Sequence, residues 1–142
     1  PDANVAEAAS IMWHYDCGAV PVVDDKNKVV GIITDRDICI AISTGQRLAN
    51  EIKVKEVITG GVHSCLADDD IHEALETMRK YRVRRLPVVD IQGRLEGLFT
   101  ITDVILHTQT KDSKEPREIT CSEVTKVLKS ISAPRFEPAQ SD

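Results

Sequence analysis

The sequence predicts an α+β fold in which two β-α-β-β-α repeats pack sheet to sheet with pseudo-twofold symmetry. Residues 5–37 align without a gap on residues 71–103, and 11 of the 33 aligned positions are identical. Both segments begin with the apolar spacing of an amphipathic helix and continue into two apolar runs separated by turn residues. One repeat alone buries too little surface to be stable, so two packed copies are expected.

Each repeat is predicted to begin its aligned segment with a helix. Asn4 in the first copy and Asp70 in the second are good N-caps, and a Glu three residues later completes a capping box in both. The apolar residues follow the i, i+3, i+4, i+7 spacing that places one helix face against a core. They are Val5, Ala8, Ala9 and Met12 in the first copy, and Ile71, Ala74, Leu75 and Met78 in the second.

Two strands joined by a turn are predicted after each helix, and a second helix follows at Thr34 or Thr100. The first strand contains a proline, and the turns are rich in Asp, Asn and Gly. The first strand is predicted at 19–23 in repeat 1 and at 85–89 in repeat 2. The turn follows at 24–27 and 90–93, and the second strand ends at Ile33 and Phe99.

A lead-in strand is expected near residues 62–65, ahead of the second repeat. Its counterpart for the first repeat would fall before residue 1, so we expect that strand to be missing from this sequence. The exposed sheet edge that results would then be covered either by a segment upstream of this sequence or by the C-terminal tail.

The repeats also set the expected domain boundaries, with repeat 1 at 1–46, repeat 2 at 47–110 and a non-repeating tail at 111–142. We expect a polar linker at 109–116 and a frayed end from Ser132. Between them Thr120 and Glu123 have capping-box spacing, which predicts a short helix over 121–131 with Val124, Val127, Leu128 and Ile131 on one face.

The composition excludes several classes of protein. The 142 residues include 18 Lys and Arg against 23 Asp and Glu, a net charge of −5, so there is no basic surplus for nucleic-acid binding. An apolar fraction of 42% is enough for a core and argues against wholesale disorder. No apolar run is long enough to span a bilayer or to act as a secretory signal, so we expect a cytoplasmic protein without membrane contact.

The cysteines form neither a Cys-x-x-Cys pair nor a ligand spacing with any of the four His. We therefore expect no disulfide framework and no metal site. We expect the four cysteines to be reduced and mostly buried, where they pack as small apolar residues. They are Cys17, Cys39, Cys65 and Cys121.

One motif recurs where the second strand of each repeat runs into the following helix. It has the pattern Gly-x-x-Thr-x-x-Asp, from Gly31 to Asp37 and again from Gly97 to Asp103. A helix N-terminus offers free N–H groups and a positive dipole end to a phosphate, and the Thr hydroxyl adds a donor. An Asp one turn into the helix can accept from both hydroxyls of a ribose, and Gly lets a flat ring approach the backbone. The pattern therefore fits a nucleoside phosphate.

A purely structural interpretation of this motif stays open. Thr followed three residues later by an acid is also a capping box, which stabilises a helix start without any ligand. Two copies in the same register, each behind a strand that ends in Gly and two apolar residues, favour ligand binding.

The sequence resembles a tandem pair of CBS domains, the Bateman module named after cystathionine β-synthase. The resemblance covers roughly residues 1–110 and rests on the Glu-Ala of the first helix, the Pro-Val-Val-Asp strand and turn, and the Gly-x-x-Thr-x-x-Asp motif, each present twice. It implies no catalysis, a flat homodimer, and AMP, ADP or ATP (in some members S-adenosylmethionine or dinucleotides) in clefts between the repeats. Such modules regulate an attached effector domain or a partner protein.

Carried onto this sequence, the resemblance assigns ribose to Asp37 and Asp103 and phosphate to Thr34 and Thr100. The segments Ala19-Val20-Pro21 and Arg85-Leu86-Pro87 would line the base pocket, partly through backbone groups. The candidate ligand-binding residues are Ala19, Val20, Pro21, Thr34, Arg36 and Asp37, with Ser64, Arg84, Arg85, Leu86, Pro87, Thr100 and Asp103 from the second repeat.

The two copies carry different charges. Arg82, Arg84 and Arg85 align with a carboxylate and two small residues of the first repeat. We infer that the two clefts differ in affinity, because guanidinium groups meet polyphosphate charge better than small or acidic residues do. The alternative is that these arginines form a solvated strand edge or pair with local groups.

The remaining aromatic residues carry less information. Trp13, Tyr15 and Tyr81 are expected in the core or at a dimer contact. The sequence contains no recognisable pairing of a nucleophile with a base and no set of metal ligands, so we expect that the protein is not an enzyme. The main alternative function is a structural dimerisation module without a physiological ligand.

Overall fold

The structure, a computed structural model, describes residues 1–58, 61–108 and 119–133. The linker expected at 109–116 lies outside the described residues. Of the end expected to be frayed from Ser132, Ser132 is the last residue of a helix, and the residues from 134 onward lie outside the described ones.

The fold is mixed α+β and contains two repeated β-α units, as predicted. The chain divides into two compact units, the first formed by Pro1–Leu66 with Pro87–Gly97 and the second by Ala67–Leu86 with Leu98–Asp142. The elements are, in order, α1 Val5–His14, β1 Ala19–Val23, β2 Val29–Thr34, α2 Asp35–Gly45, α3 Val54–Val57, β3 Cys65–Leu66, α4 Ile71–Tyr81, β4 Arg85–Val89, β5 Leu95–Thr100, α5 Ile101–His107 and α6 Cys121–Ser132.

The backbone repeats as faithfully as the sequence does. Asp16 and Arg82, which follow α1 and α4, both lie in the left-handed region with φ of 49° and 55°. Asn27 and Gly93 occupy matching turn positions, with φ of 60° and 80°. The two residues of each pair occupy equivalent positions in the repeat alignment. The backbone conformation is therefore shared even where the residue type differs.

Each of the two turns is stabilised by an aspartate at the same position of the repeat, Asp24 or Asp90. Asp24 Oδ1 accepts the amides of Lys26 and Lys28, each at 2.9 Å. In the second copy Asp90 Oδ1 accepts the amides of the two matching turn residues, also at 2.9 Å. The expectation that these aspartates are turn residues is therefore confirmed.

Within the first unit the two hairpins bond to each other reciprocally. The amide of Val29 donates to the carbonyl of Gly93 at 3.1 Å, and the amide of Leu95 donates to the carbonyl of Asn27 at 2.9 Å. The residues exchange roles under the repeat alignment, which is the local signature of a pseudo-twofold relation between the hairpins.

The sheets of the two repeats differ by one strand. β1 and β2 form an antiparallel pair, and no third strand joins them within the described ranges. β3, β4 and β5 form a three-stranded sheet in which β3 is parallel to β4, with Cys65 opposite Val88. The lead-in strand predicted near 62–65 is present but short, at Cys65–Leu66.

The predicted faces of α1 and α4 are buried except at Ala9, which is half-buried, and at Ile71. Val5, Ala8 and Met12 belong to the core of the first unit. In the second unit Ala74, Leu75 and Met78 are buried, but Ile71 is 37% exposed because it is the first residue of α4.

The cysteine prediction was wrong for three of the four residues. All four thiols are free, but only Cys65 is buried. Cys17 lies in the turn after α1, Cys39 is on the exposed side of α2, and Cys121 is the first residue of α6.

The core placement of the aromatic residues was also wrong. Trp13 is 89% exposed because it lies off the apolar stripe of α1, and Tyr15, which follows the last residue of that helix, is 72% exposed. Tyr81, the last residue of α4, is 41% exposed, and the Lys80 ammonium lies 5.1 Å from its ring centroid.

The predicted C-terminal helix is present as α6 and packs on α4 in the second unit. Its capping box is formed as expected, with the amide and hydroxyl of Thr120 donating to Glu123 Oε2 at 2.9 and 2.7 Å. Val124 and Val127 are buried, which anchors the helix by its apolar face.

Arg82 holds the far end of α6. Its Nε donates to the carbonyl of Ser130 at 3.1 Å, and its guanidinium also bonds the carbonyl of Ala133. Ser130 in turn donates its hydroxyl to the carbonyl of Arg79 at 3.0 Å. A cation is favourable there because the last carbonyls of a helix carry its negative dipole end.

The cap of α6 is expected to weaken in acid. Hydrogen bonds from the amide and then the hydroxyl of Thr120 lower the pKa of Glu123 from its ordinary value of 4.5, and nearby His72 adds to the effect. A carboxyl whose pKa is lower in the folded state contributes stability above its unfolded pKa, which is lost as the pH falls through the folded pKa.

We therefore expect Glu123→Gln to lower the free energy of unfolding at pH 7 by about 0.5 kcal/mol, since the side chain is partly exposed. Urea unfolding at pH 7 and pH 3 measures this, and the difference from the unmodified chain should be smaller at pH 3 than at pH 7. The exposed Glu96→Gln serves as the control. A Glu123→Gln effect of equal size at both pH values would contradict this assignment.

Candidate functional site

The motif of the first repeat forms a closed capping box at the start of α2. The amide and hydroxyl of Thr34 donate to Asp37 Oδ2 at 2.9 and 2.7 Å, and the amide of Asp37 donates back to the Thr34 hydroxyl at 3.2 Å. Both side chains are half-buried. Thr34 and Asp37 therefore do cap the start of α2, as the structural interpretation of the motif predicts.

The second repeat forms the same box with the same distances. Thr100 donates to Asp103 Oδ2 at 2.9 Å through its amide and 2.7 Å through its hydroxyl, and it accepts the Asp103 amide at 3.2 Å. Asp103 is exposed, whereas Asp37 is half-buried. The two copies therefore present their carboxylates to solvent to different extents.

Each box uses only one oxygen of its aspartate. Within the described residues, Oδ1 of Asp37 and Oδ1 of Asp103 have no hydrogen-bond partner. An ionised carboxylate oxygen with open lone pairs is the acceptor that sugar hydroxyls require. Capping and ligand binding are therefore compatible at both motifs.

The amides at the start of α2 are less available than the sequence suggests. The amide of Asp35 donates to the carbonyl of Gly18 at 3.3 Å, and the amide of Arg36 donates to the Asp35 carboxylate at 2.7 Å. The prediction that this helix offers free N–H groups to a phosphate was therefore wrong for the first repeat. Sequence reasoning missed it because Asp35 satisfies its neighbour with its own side chain.

The segment expected to line the base does lie beside the first motif. Strand register places Ala19 opposite Thr34 and Pro21 opposite Ile32. Ala19 is buried, while Val20 and Pro21 are half-buried. This segment therefore offers partly exposed apolar surface next to the start of α2.

The equivalent segment of the second repeat is more enclosed. The carbonyl of Arg84 accepts the amide of Ile101 at 2.9 Å, which holds the segment beside the start of α5. Leu86 and Pro87 are fully buried, and Ser64 is exposed. The apolar surface available to a ring is therefore smaller here than at Val20 and Pro21.

The arginines have different surroundings. Arg82 is engaged with α6, so the alternative of local pairing holds for this residue. Arg36 and Arg84 are exposed, and neither guanidinium has a hydrogen bond or ion pair within the part of the chain that the structure describes. Arg85 is half-buried. Arg36 and Arg84 are thus the cations with open donors near the motifs.

Neither a metal cluster nor a membrane-spanning helix is found among the described residues. No group of three or more His, Cys, Asp or Glu there is arranged to hold a metal ion. None of the described helices combines the length and the apolar character needed to cross a membrane.

Comparison with known proteins settles the family. The model of the CBS domain matches residues 1–44 and 54–108. This chain belongs to the CBS-domain family.

Several relatives resemble this CBS-domain chain over most of its length. An inosine-5'-monophosphate dehydrogenase of Methanocaldococcus jannaschii is 43% identical over 105 residues, which are 74% of this chain but 20% of the dehydrogenase. The chain thus spans about a fifth of that enzyme, and the likeness does not extend to the rest of it.

Two solved structures share the fold. The CBS domain pair of protein MJ0100, in complex with 5-methylthioadenosine and S-adenosyl-L-methionine, has a TM-score of 0.65 and 30% identity, covering 72% of this chain and 79% of that one. CBS domain protein PAE2072 from Pyrobaculum aerophilum, complexed with AMP, has a TM-score of 0.64 and 26% identity, covering 72% and 78%. Both were solved with adenosine compounds.

Proposed function

We propose that this chain is a non-catalytic regulatory module that senses adenosine-containing nucleotides, AMP, ADP or ATP. The observation that carries the proposal is the doubled Thr–Asp box, in which each aspartate keeps one oxygen without a partner among the described residues. Family membership and the adenosine compounds bound by MJ0100 and PAE2072 support it.

The ribose is assigned to the open carboxylate oxygens. Oδ1 of Asp37 or of Asp103 accepts the ribose hydroxyls, while Oδ2 continues to hold the cap. Two charge-assisted hydrogen bonds from neighbouring hydroxyls also distinguish a ribonucleotide from a deoxyribonucleotide. Thr34 and Thr100 remain the proposed phosphate contacts, although each hydroxyl donates its one O–H to the aspartate in this structure and has to turn away from it to donate to a phosphate.

The base and the remaining phosphates are assigned to the flanking segments. Val20 and Pro21 supply half-buried apolar surface for adenine in the first repeat, with backbone groups of the same strand as its polar contacts. Arg36, Arg84 and Arg85, with the exposed Ser64, are the phosphate-facing candidates.

Regulation follows from ligand-dependent populations. A nucleotide that binds one arrangement of the module more tightly than another shifts the population toward it by that difference in affinity. We propose that the responding unit is a homodimer, coupled to an effector domain or partner protein.

The two sites are expected to differ in their response to phosphate number. Arg84→Ala is expected to weaken ATP binding about tenfold and AMP binding much less, because the guanidinium of Arg84 meets charge beyond the first phosphate. Titrations with ATP and AMP at two salt concentrations measure this, with Lys26→Ala, an exposed turn cation, as control. Two identical and independent sites in the unmodified chain would contradict this prediction.

A thermal-shift panel tests the function itself. AMP, ATP, S-adenosylmethionine and NADH are added separately, and a true ligand at 100 times its dissociation constant adds about 2.7 kcal/mol to the stability. S-adenosylmethionine is the second candidate ligand, favoured by the complex of MJ0100. No shift with any compound would leave only the structural dimerisation module, and nucleotide turnover that survives purification would indicate an enzyme.

A further inference from the structure

A short stretch between α4 and β4 contacts both the C-terminal helix and the second Thr–Asp motif. Arg82 donates from Nε to the carbonyl of Ser130 at 3.1 Å and so holds the end of α6. Two residues later the carbonyl of Arg84 accepts the amide of Ile101, the first residue of α5, at 2.9 Å. We call residues 82–85 the arginine segment. The end of α6 and the start of the motif helix are therefore held by one segment of the second unit.

The backbone conformation of the arginine segment depends on its contacts. Arg82 lies in the left-handed region with φ of 55°, which costs free energy for a residue with a β-carbon. The amide of Val83 donates to the carbonyl of Met78 at 3.1 Å, and the two bonds from the Arg82 guanidinium to α6 add to this restraint. Docking of α6 on α4 therefore favours the conformation in which the segment contacts the motif.

The first repeat shows which of these contacts belong to the repeat itself. The same backbone bond occurs there, from the amide of Asp35 to the carbonyl of Gly18 at 3.3 Å. The position of Arg82 is occupied by Asp16, which has no guanidinium to hold a helix end. The position of Arg84 is Gly18, which has no side chain for a phosphate. The link between a helix end and a phosphate-facing cation is thus particular to the second copy.

The docked helix α6 is held on α4 by a small set of contacts. Val124 and Val127 are its buried residues, and Leu128 is half-buried. The hydroxyl of Ser130 donates to the carbonyl of Arg79 at 3.0 Å. Elements with few buried contacts open at a lower free energy than the whole domain. We therefore expect α6 to exchange between a docked and a released state without unfolding of the second unit.

We propose that nucleotide binding at the second-repeat site and docking of α6 on α4 stabilise each other through the arginine segment. The inference rests on the proposed function and identifies α6 as the element that responds to occupancy of that site. A nucleotide that contacts Arg84 and the Asp103 carboxylate meets an ordered segment when α6 is docked, and has to order it when α6 is released. Because coupling is reciprocal, docking raises nucleotide affinity by the same factor by which nucleotide favours docking.

Hydrogen exchange of the α6 amides measures the coupling in the full chain, with and without saturating ATP. We expect ATP to slow the exchange of α6 about fivefold, the lower end of ordinary allosteric coupling. Asp103→Asn keeps an acceptor for the cap but loses the charge that binds ribose. In this variant ATP should leave the exchange of α6 unchanged.

Val127→Asp tests the reverse direction, because a carboxylate at this buried position favours release of α6. ATP affinity at the second-repeat site should fall about fivefold. Thr125→Asp, the matched control, places the same charge on the exposed side of α6 and should leave the affinity unchanged. The Glu123 cap alone contributes too little to docking for its loss to release the helix.

Arg82→Ala tests the segment itself without placing a charge in the core. In this variant α6 should exchange faster, and ATP should no longer slow it. Arg79→Ala is the matched control, because the Arg79 side chain pairs with Glu76 and its carbonyl remains available to α6. Circular dichroism shows that each variant is folded before the comparison is made.

Three results would overturn the proposal. They are ATP binding by calorimetry without slower exchange of α6, slower exchange that persists in Asp103→Asn, and equal ATP affinity in folded Val127→Asp and Thr125→Asp. Each of these leaves nucleotide sensing intact and removes α6 as the responding element. Absence of ATP binding to the unmodified chain would contradict both the coupling and the proposed function, so the two failures are distinguishable.

Discussion

Asp37→Ala is expected to weaken AMP binding at the first-repeat site about a hundredfold, which corresponds to about 2.7 kcal/mol. The substitution removes the carboxylate that accepts both ribose hydroxyls, and net contributions of charge-assisted hydrogen bonds are about 1.5–3 kcal/mol. Asp103→Ala is expected to do the same at the second-repeat site. Calorimetric titration of each variant with AMP measures the remaining sites and their affinities.

Two controls separate ribose binding from helix capping. Asp37→Asn keeps a side-chain carbonyl that can accept from Thr34, so it preserves the cap but loses the charge, and AMP binding should still weaken. Glu123→Ala removes the acid of the third box, on α6, where no ligand is expected, and AMP affinity should not change. Unchanged affinity in Asp37→Ala would show that the box is structural only.

Met78→Ala is expected to lower the free energy of unfolding by about 2–5 kcal/mol. Met78 is fully buried in α4, so the truncation removes apolar contacts and leaves a cavity that the surrounding side chains fill only in part. Urea unfolding followed by far-UV circular dichroism measures the loss.

Leu106→Ala is the matched control, because Leu106 belongs to the same unit but is 74% exposed in α5. Its cost is expected to be below about 0.5 kcal/mol. An equal loss of unfolding free energy in the two variants would mean that Met78 of α4 is not buried in the core of the second unit.

Elements specified by neighbouring residues could be predicted from the sequence. The N-caps Asn4 and Asp70, the apolar stripe of α1 and the Asp24 and Asp90 turns depend on contacts within four residues, and they are found. The capping boxes expected with Glu7 and Glu73 are not formed, because Asn4 also bonds the Glu7 side chain through its own amide group and Asp70 accepts the His72 amide instead. The α6 helix was predicted for the same reason, because Thr120 and Glu123 are three residues apart.

Features that depend on distant contacts could not be predicted. Arg82 was grouped with the phosphate-binding arginines, but it bonds carbonyls of α6 that lie about 50 residues along the chain. Residue type suggested burial for Trp13 and Cys39, yet hydrophobicity alone does not say whether a second helix covers a given face.

The Thr–Asp contacts of the two motifs were predicted from the sequence, but the other hydrogen bonds at the start of α2 were not. The Thr and Asp of both motifs are together, as the three-residue spacing requires. The occupied amides at the start of α2 were missed, because they depend on Gly18 and on the rotamer of Asp35. We therefore expect ligand binding at the first repeat to depend more on the Asp37 carboxylate and less on the helix end.

The central claim is that the open oxygens of Asp37 and Asp103 bind the ribose of an adenine nucleotide. Isothermal titration of AMP into the unmodified chain tests it most directly, with 2'-deoxyadenosine monophosphate as the comparison. We expect saturable binding of one or two AMP per chain and much weaker binding of the deoxynucleotide, which lacks one of the two ribose hydroxyls. Absence of saturable heat with AMP, ADP, ATP or S-adenosylmethionine at millimolar concentration would contradict it.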